Sequence, residues 1–230
     1  GWEGFVCQHV LTRSVRDSAA ELGGGLYAGD SCAFTAQDLQ LTGNHARVSG
    51  GAIALGERAE ASGEGVTIDG NSAGQQGGGV YLYRASAALG EVQLTDNAAG
   101  DDGGGLHLLF GEAEGAGVVL SGNIAGGQGG NLALKYSDLS LTESRVLGGG
   151  SESGAGSALY TSRVALDQVS FEGNAAESVG GGLYLEEASS AEATGCSFSD
   201  NTPEDLYIEG NGPYSWGSDA SFRCDAAGCK

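Results

Sequence analysis

Basic residues are scarce in this sequence of 230 residues. Ten lysines and arginines stand against 30 aspartates and glutamates, which gives a formal net charge of −20. That charge disfavours binding modes that neutralise phosphate groups, so nucleic acid and anionic membranes are excluded as expected partners. No stretch approaches the roughly 20 consecutive apolar residues of a membrane-spanning helix, and we therefore expect no direct membrane insertion.

Proline is nearly absent and methionine is wholly absent. Only 2 prolines accompany 44 glycines, and the glycines follow no three-residue period, which excludes collagen and is unlike a disordered linker. Hydrophobic residues make up 40% of the chain, which is enough to build a core. The lack of methionine favours a processed chain, so we expect a leader, an anchor or a further domain outside these residues.

One phrase recurs along the chain at a nearly fixed spacing. An asparagine three residues after an apolar residue returns every 26 or 27 residues, apart from one interval of 51 residues. Two periods account for that interval, so we expect Ser144 to occupy the position of a missing asparagine and the segment GGGSESG after it to form an inserted loop. The repeat asparagines, as we name them, are Asn44, Asn71, Asn97, Asn123, Asn174 and Asn201.

Alternating apolar residues predict short strands on both sides of each repeat asparagine. Around Asn97, Val92 and Leu94 alternate with polar residues before it, and Leu106 and Leu108 do so after the glycines that follow it. A period of two residues is typical of a half-buried strand. A weaker third strand precedes the first in some repeats, so each repeat holds two or three strands.

A repeat of about 26 residues cannot bury a hydrophobic face alone, but stacked repeats can. Stacking at roughly 4.8 Å aligns each strand with its equivalent in the next repeat, and parallel crossovers are nearly always right-handed. The sequence therefore predicts an all-β, right-handed parallel β-helix of seven to eight coils over residues 1–209. Residues 210–230 are predicted to form a C-terminal cap or an irregular tail. The repeat asparagines are predicted to point inward at one corner and to bond from coil to coil.

The repeat phrases carry a family resemblance. FEGN and FSDN match the first half of a repeat and SGGAI the second half, and over about residues 14–208 they resemble the chlamydial polymorphic outer-membrane proteins and related bacterial right-handed β-helix surface proteins. The resemblance implies an exported, autotransporter-like passenger at the outer surface of a Gram-negative bacterium, where it adheres to a glycan or a protein. A fold does not determine function, so two alternatives stay open: a polysaccharide lyase or glycoside hydrolase, and a fibre subunit that self-associates through its coil ends.

An enzyme on this fold needs acidic residues from neighbouring coils gathered in one groove. The candidates are Asp69, Asp96, Asp101, Asp102 and Asp200. Acidic residues are common in this sequence and basic residues are few, so a solvated acidic face is favoured and we expect a protein without catalytic residues. Asp101 and Asp102 could hold a weakly bound calcium ion together with backbone carbonyls, and no other cofactor is expected.

The strand that follows the glycines offers a candidate binding face. Its outward positions hold Tyr81, Tyr83, His107, Leu109 and Tyr184, which we name the predicted face. Aromatic and apolar side chains grouped on one exposed surface often mark a site for a glycan or a protein. The alternatives are that a loop covers these residues or that the strands favour tyrosine for packing.

Five cysteines favour an exported chain over a cytosolic one. Cys7 and Cys32 stand one coil apart, so their Cα atoms are expected to lie within the separation that a disulfide bond allows. Cys224 and Cys229 could close a small C-terminal loop. Cys196 falls in an inward column and is expected to be a buried thiol.

Overall fold

The structure, a computed structural model, describes residues 8–11, 14–210 and 212–217, with the backbone alone described for residues 8–11. These residues form 32 β-strands, and every pair of neighbouring strands among them is parallel. No helix of the described residues is long and apolar enough to cross a membrane.

Each full coil contributes one strand to each of four sheets, which we name A to D in the order in which the chain meets them. Sheet A contains β1 (Gln8–Leu11), β5 (Ala33–Gln37), β9 (Glu60–Glu64), β13 (Ser86–Gly90), β17 (Glu112–Ala116), β21 (Asp138–Thr142), β25 (Arg163–Asp167), β29 (Ser190–Thr194) and β32 (Tyr214–Trp216). Sheet B contains β2 (Val15–Arg16), β6 (Gln40–Thr42), β10 (Thr67–Asp69), β14 (Gln93–Thr95), β18 (Val119–Ser121), β22 (Arg145–Leu147), β26 (Ser170–Glu172) and β30 (Ser197–Ser199).

The other two sheets complete the coil. Sheet C contains β3 (Ala19–Leu22), β7 (His45–Ser49), β11 (Ser72–Ala73), β15 (Ala98–Ala99), β19 (Ile124–Ala125), β23 (Gly150–Ser153) and β27 (Ala175–Val179). Sheet D contains β4 (Leu26–Ala28), β8 (Ile53–Leu55), β12 (Val80–Tyr83), β16 (Leu106–Leu109), β20 (Leu132–Lys135), β24 (Ser157–Tyr160), β28 (Leu183–Glu187) and β31 (Leu206–Gly210).

The core fills the inside of the coils because alternate residues of each strand point inward. In sheet B, Leu94 is buried and pairs in register with Ile68 and Leu120 of the neighbouring coils. Phe171 stacks on Phe198 of the next coil with ring centroids 4.7 Å apart. The predicted β-helix is thus confirmed, although a full coil contains four strands rather than two or three.

The repeat asparagines form a hydrogen-bonded ladder at the turn from sheet B to sheet C. Asn97 is typical: its Nδ2 donates to Asn123 Oδ1 at 2.9 Å and to the Ile68 carbonyl at 2.9 Å. Its Oδ1 accepts from both the backbone N and the Nδ2 of Asn71, at 3.0 and 2.9 Å. The turn therefore depends on a side chain that is both donor and acceptor, which explains why the repeat demands asparagine.

Ser144 does not occupy an asparagine position, contrary to the expectation from the repeat. It lies between β21 and β22, where its Oγ accepts a hydrogen bond from the Val118 backbone N at 3.1 Å. The equivalent of the repeat asparagine in this coil is Gly149, and the segment predicted as an inserted loop contains β23 of sheet C. Leu139 and Leu141 alternate with polar residues just before Ser144, as the residues of a sheet B strand do before each repeat asparagine, but they belong to sheet A, and the prediction was therefore wrong.

A side chain from the neighbouring coil fills the gap that Gly149 leaves in the ladder. Asn131 Oδ1 accepts from Asn123 Nδ2 at 2.7 Å, and Asn131 Nδ2 donates to Asn174 Oδ1 at 2.9 Å. A Cβ atom at residue 149 would lie 2.5 Å from Asn131 Nδ2 and 2.3 Å from the Ala155 carbonyl oxygen, so glycine alone leaves room. The ladder thus continues across the coil that lacks its own asparagine.

The parallel stack continues past the boundary predicted at residue 209. Tyr214 and Trp216 of β32 pair in register with Ala191 and Ala193 of β29, which extends sheet A. Cys224 and Cys229 lie outside the described residues, so the loop proposed for them stays a prediction.

The Cys7–Cys32 bridge also stays a prediction, because Cys7 lies outside the described residues. The described register is consistent with it, since Gln8, the residue after Cys7 in the sequence, pairs with Ala33, the residue after Cys32. Digestion of the unreduced protein is expected to release one linked peptide pair that contains both cysteines, and reduction should split it. Alkylation of both thiols without prior reduction would contradict the bridge.

Candidate ligand-binding groove

The predicted face is only partly exposed. His107 and Tyr184 lie outside the coil, as the alternation requires, but they are only 1% and 5% exposed. The turn from sheet C to sheet D closes over the start of sheet D, so that a Cβ atom on Gly103 or Gly180 would lie within 2.8 Å of their Cβ atoms. Their expected exposure was therefore wrong, while Tyr81, Tyr83 and Leu109 are half-buried. Whether these five residues bind a ligand stays a prediction.

His107 sits beside charged and aromatic groups on the outside of sheet D. The Tyr81 ring meets it edge to face with centroids 5.7 Å apart, and Asp102 and Lys135 form an ion pair nearby at 2.8 Å. Neither imidazole nitrogen has a well-formed hydrogen-bond partner among the described residues. Burial lowers the pKa of His107 to about 4, and the Asp102 carboxylate opposes that shift.

Asp101 and Asp102 form the suggested calcium site, and the carboxylate of Asp102 already contacts other groups of the protein. Asp102 Oδ1 accepts from the Gln128 backbone N at 2.8 Å, and Oδ2 contacts Lys135 Nζ at 2.8 Å. Within the described ranges, no three acidic, histidine or cysteine side chains gather as metal ligands. A calcium ion at Asp102 would have to displace both of these donors.

Aromatic side chains protrude at the turn from sheet D to sheet A, which we name the D-to-A turn. Phe110 and Tyr136 are 47% and 46% exposed, and their rings stack from coil to coil with centroids 5.0 Å apart. The Arg84 guanidinium lies 5.6 Å from the Phe110 ring centroid, and the Tyr160 ring meets Tyr136 edge-on at 5.3 Å. We name Arg84, Phe110 and Tyr136 the ridge.

A groove runs beside the ridge along the outer face of sheet A. It consists of two adjoining hollows of about 660 and 1080 Å³. The ridge forms one wall, and small side chains such as Ser62, Ala88 and Ser140 form the floor. The residues that line both hollows are Glu60, Ser86, Glu112, Asp138 and Arg163. A long concave face with both polar and aromatic side chains can hold an extended ligand.

Comparison with known protein families matches residues 24–227 to the family described as right handed beta helix region. The chain belongs to this family. No curated protein and no solved structure matches it. Membership establishes the right-handed β-helix, while the closer resemblance to the chlamydial proteins stays a prediction.

The acidic residues of the β-helix groove differ from those singled out in the sequence. Asp69 lies on sheet B and accepts from Thr95 Oγ1 at 2.7 Å, and the other four candidates occupy turns outside the groove. Glu112 and Asp138 do line the groove, where they are register partners on adjacent strands. Asp138 also lies 3.9 Å from Arg163 of the next coil. Two carboxylates from neighbouring coils therefore stand side by side in the groove.

A serine ladder holds the D-to-A turn of the β-helix beneath the ridge. Ser137 Oγ accepts from the Gly111 backbone N, Ser162 Oγ from Ser137 N, and Ser189 Oγ from Ser162 N, at 3.1, 3.1 and 3.2 Å. These buried serines recur at 25- and 27-residue intervals, and that spacing is the signal in the sequence that marks this turn. The ladder fixes the turn and therefore the direction in which the ridge projects.

All three ridge residues adopt a left-handed backbone conformation. Their φ angles are 50°, 54° and 52° in chain order, and the turn from sheet A to sheet B places either glycine, as at Gly65, or a larger residue, as at Glu91, in the same conformation. The left-handed conformation costs a non-glycine residue about 1–2 kcal/mol, and such costs concentrate at functional sites. Non-glycine residues such as Asp38 and Glu143 share this conformation at another turn, so the backbone strain is a feature of the coil turns and not of the ridge alone.

Replacing Phe110 with glycine is expected to give a more stable protein than replacing it with alanine, by about 1 kcal/mol. Both changes remove the stacked ring, but glycine alone also relieves the backbone strain at φ 54°. Urea unfolding followed by circular dichroism measures the difference. The usual order, with the alanine variant more stable, would contradict the assignment of strain.

Proposed function

We propose that this β-helix is an exported cell-surface domain that acts in adhesion by binding an extended glycan along the groove. The observation that carries the proposal is the continuous groove beside the ridge. It crosses the coils from Arg58 to Ala188, five steps of roughly 4.8 Å, and so has a length of about 24 Å. That length suits several units of a polymer rather than one small molecule.

The backbone of the groove favours a glycan over a peptide. Every strand that forms the floor is hydrogen-bonded to strands on both sides, so the groove offers no free strand edge to a peptide backbone. An extended peptide also advances about 3.3 Å per residue and loses register with coils about 4.8 Å apart. A pyranose unit is longer than an amino-acid residue and stays closer to the coil spacing.

The side chains of the groove suit a ligand rich in hydroxyl groups. The carboxylates of Glu60, Glu112 and Asp138 accept hydrogen bonds, and the Arg163 guanidinium donates them. Ser86 can do both. The proposed location at the surface of a Gram-negative bacterium is supported by the cysteine content and by the repeat resemblance.

A second candidate function is glycoside hydrolysis in the same groove. The observation that favours it is the juxtaposition of Glu112 and Asp138, because most glycosidases use two carboxylates that flank the scissile bond. Asp138 lies 3.9 Å from Arg163 and Glu112 forms no ion pair among the described residues, so Glu112 is the carboxylate that we test. Release of reducing ends from a bound polysaccharide, lost in Glu112→Gln, would support this candidate over adhesion.

Replacing Ala88 with tryptophan is expected to abolish glycan binding without unfolding the protein. Ala88 lies on the groove floor near its middle, so a large side chain there obstructs the groove, while outward substitutions usually change stability by less than about 0.5 kcal/mol. The measurement is binding to a glycan array, with the thermal midpoint recorded in parallel.

Gln93→Trp is the matched control for the obstruction of the groove. Gln93 belongs to the same coil as Ala88 but points outward from sheet B, away from the groove. The control is expected to bind as the unmodified protein does. Unchanged binding by Ala88→Trp would place the ligand elsewhere and overturn the proposed function.

A further inference from the structure

We propose that the ligand of the groove is an uncharged polysaccharide, an inference that rests on the proposed glycan-binding function. The alternatives are a polyanion, such as a uronate or sulfated glycan, and a polycation, such as an amino-sugar polymer. Three observations favour the uncharged class. They are the charges of the groove, the pairing of those charges within the protein, and the charge of the remaining surface.

The charges along the groove nearly balance, although the protein as a whole is strongly acidic. Three arginines line it, Arg58, Arg84 and Arg163. Four carboxylates also line it, and they belong to Glu60, Glu112, Glu114 and Asp138. The whole chain contains only ten basic residues and has a formal net charge of −20. A groove with near-equal numbers of both signs lacks the excess charge that holds a polyion.

Two of the three groove arginines already contact carboxylates of the protein. Arg84 lies 3.4 Å from Glu57, and Arg163 lies 3.9 Å from Asp138. The Arg84 guanidinium also sits over the rings of Tyr83 and Phe110, at 5.4 and 5.6 Å. Each would have to leave a protein partner in order to neutralise an anionic sugar, so their geometry suits hydrogen bonds to hydroxyl groups better than capture of anions.

The charge outside the groove also argues against both kinds of polyion. A polyanion is repelled by the net charge of −20 as it approaches. A polycation is attracted by the acidic surface as a whole and has no reason to select a groove with three arginines. An uncharged chain experiences neither effect and is selected by hydrogen bonds and shape alone.

The ridge contributes a wall rather than a stacking platform for sugar rings. The rings of Phe110 and Tyr136 are nearly parallel, with an interplanar angle of 10°, and they largely cover each other. Arg84 covers the outer face of Phe110, and the Tyr160 ring abuts Tyr136. Ring edges therefore face the groove, where they exclude water at one side of a ligand whose hydroxyl groups meet Ser86 and Glu112.

The test measures the binding of the full chain to three classes of oligosaccharide at low and high salt. The uncharged probes are oligomers of β-1,4-glucose, xylose and mannose, the anionic probes are oligogalacturonate and alginate oligomers, and the cationic probe is oligomeric chitosan. We expect an uncharged probe to bind with an affinity that changes less than about twofold between roughly 0.05 and 0.5 M NaCl. Ala88→Trp should reduce that affinity at least about tenfold, while Gln93→Trp should not.

Binding of a charged probe at the same place would overturn the inference and leave the proposed function standing. Its signature is an affinity that exceeds that of every uncharged probe, falls at least about tenfold with added salt, and is lost in Ala88→Trp. Arg163→Gln would then abolish binding of an anionic probe, whereas it should weaken an uncharged probe only modestly. Binding of no probe, or binding that Ala88→Trp leaves intact, would overturn the proposed function together with the inference.

Discussion

Replacing Asn97 with leucine is expected to lower the free energy of unfolding by about 3–5 kcal/mol. The substitution removes the two hydrogen bonds that Asn97 Nδ2 donates, to the Ile68 carbonyl and to Asn123 Oδ1. It also removes the two that Asn97 Oδ1 accepts, from the backbone N and the Nδ2 of Asn71. All these groups lie in the buried ladder, and each buried polar group left without a partner costs about 1–3 kcal/mol. The losses are not fully additive because neighbouring groups can share the remaining donors.

Urea unfolding followed by circular dichroism at neutral pH tests the Asn97→Leu prediction. Gln93→Leu is the matched control, since it introduces the same side chain into the same coil at an exposed position of sheet B. The control is expected to change the free energy of unfolding by less than about 0.5 kcal/mol. Equal unfolding midpoints for Asn97→Leu and the unmodified protein would show that the ladder contributes nothing to stability.

The sequence predicts the coil because its two strongest patterns are consequences of stacking. Inward residues such as Leu94 must be apolar in every coil, and the turn after them needs an amide that donates and accepts at once. The strands of sheet C do not alternate visibly, because three of the seven contain only two residues and the longer ones have few large apolar side chains. Strand β15, for example, consists of only Ala98–Ala99.

The coil around Gly149 shows the limit of reading one repeat at a time. This coil has no asparagine at its corner. Asn131, a residue of the preceding coil, makes the hydrogen bonds to Asn123 and Asn174 that such an asparagine would make. A pattern along the chain cannot reveal that exchange, because its residues are close only after the coils have stacked. Ser144 stands three residues after an apolar residue, as the repeat asparagines do, but it lies 21 residues after Asn123 and belongs to a different turn.

The groove and the ridge could not be read from strand alternation for a related reason. Phe110 and Tyr136 follow their strands by one residue and sit in turns, where the period of two no longer assigns a direction. Conversely, alternation correctly placed His107 outside the coil but could not show that the turn before it closes over its ring. Exposure depends on the path of a turn as well as on the pleat of a strand.

The stability of the protein is expected to fall by about 3 kcal/mol between pH 7 and pH 4 through His107 alone. Its ring is packed among Tyr81 of β12, Asp102 in the turn before β16, and Lys135 of β20. Burial lowers its pKa from 6.5 to about 4; the Asp102 carboxylate opposes this shift and the Lys135 ammonium adds to it. The folded protein thus holds a neutral imidazole under conditions in which the unfolded chain binds a proton.

The direction of the effect follows from proton binding in the two states. Between pH 6.5 and pH 4 the unfolded chain binds a proton at His107 and the folded protein does not, so acidification favours unfolding. Above pH 6.5 both states are neutral at this residue and the contribution to the pH dependence vanishes. The loss is complete near pH 4, where the folded protein also binds the proton.

His107→Phe is expected to remove this contribution, because phenylalanine keeps an aromatic ring against Tyr81 and does not titrate. The free energy of unfolding, measured in urea at about pH 7 and about pH 4.5, should fall less in the variant than in the unmodified protein, by about 2–3 kcal/mol. His45→Phe is the control, since it introduces the same side chain in place of a histidine that is exposed on sheet C. The many carboxylates titrate in all three proteins, so only the difference between variants reports on residue 107. Parallel pH curves for His107→Phe and the unmodified protein would mean that the imidazole is already protonated in the folded state, stabilised by the Asp102 carboxylate.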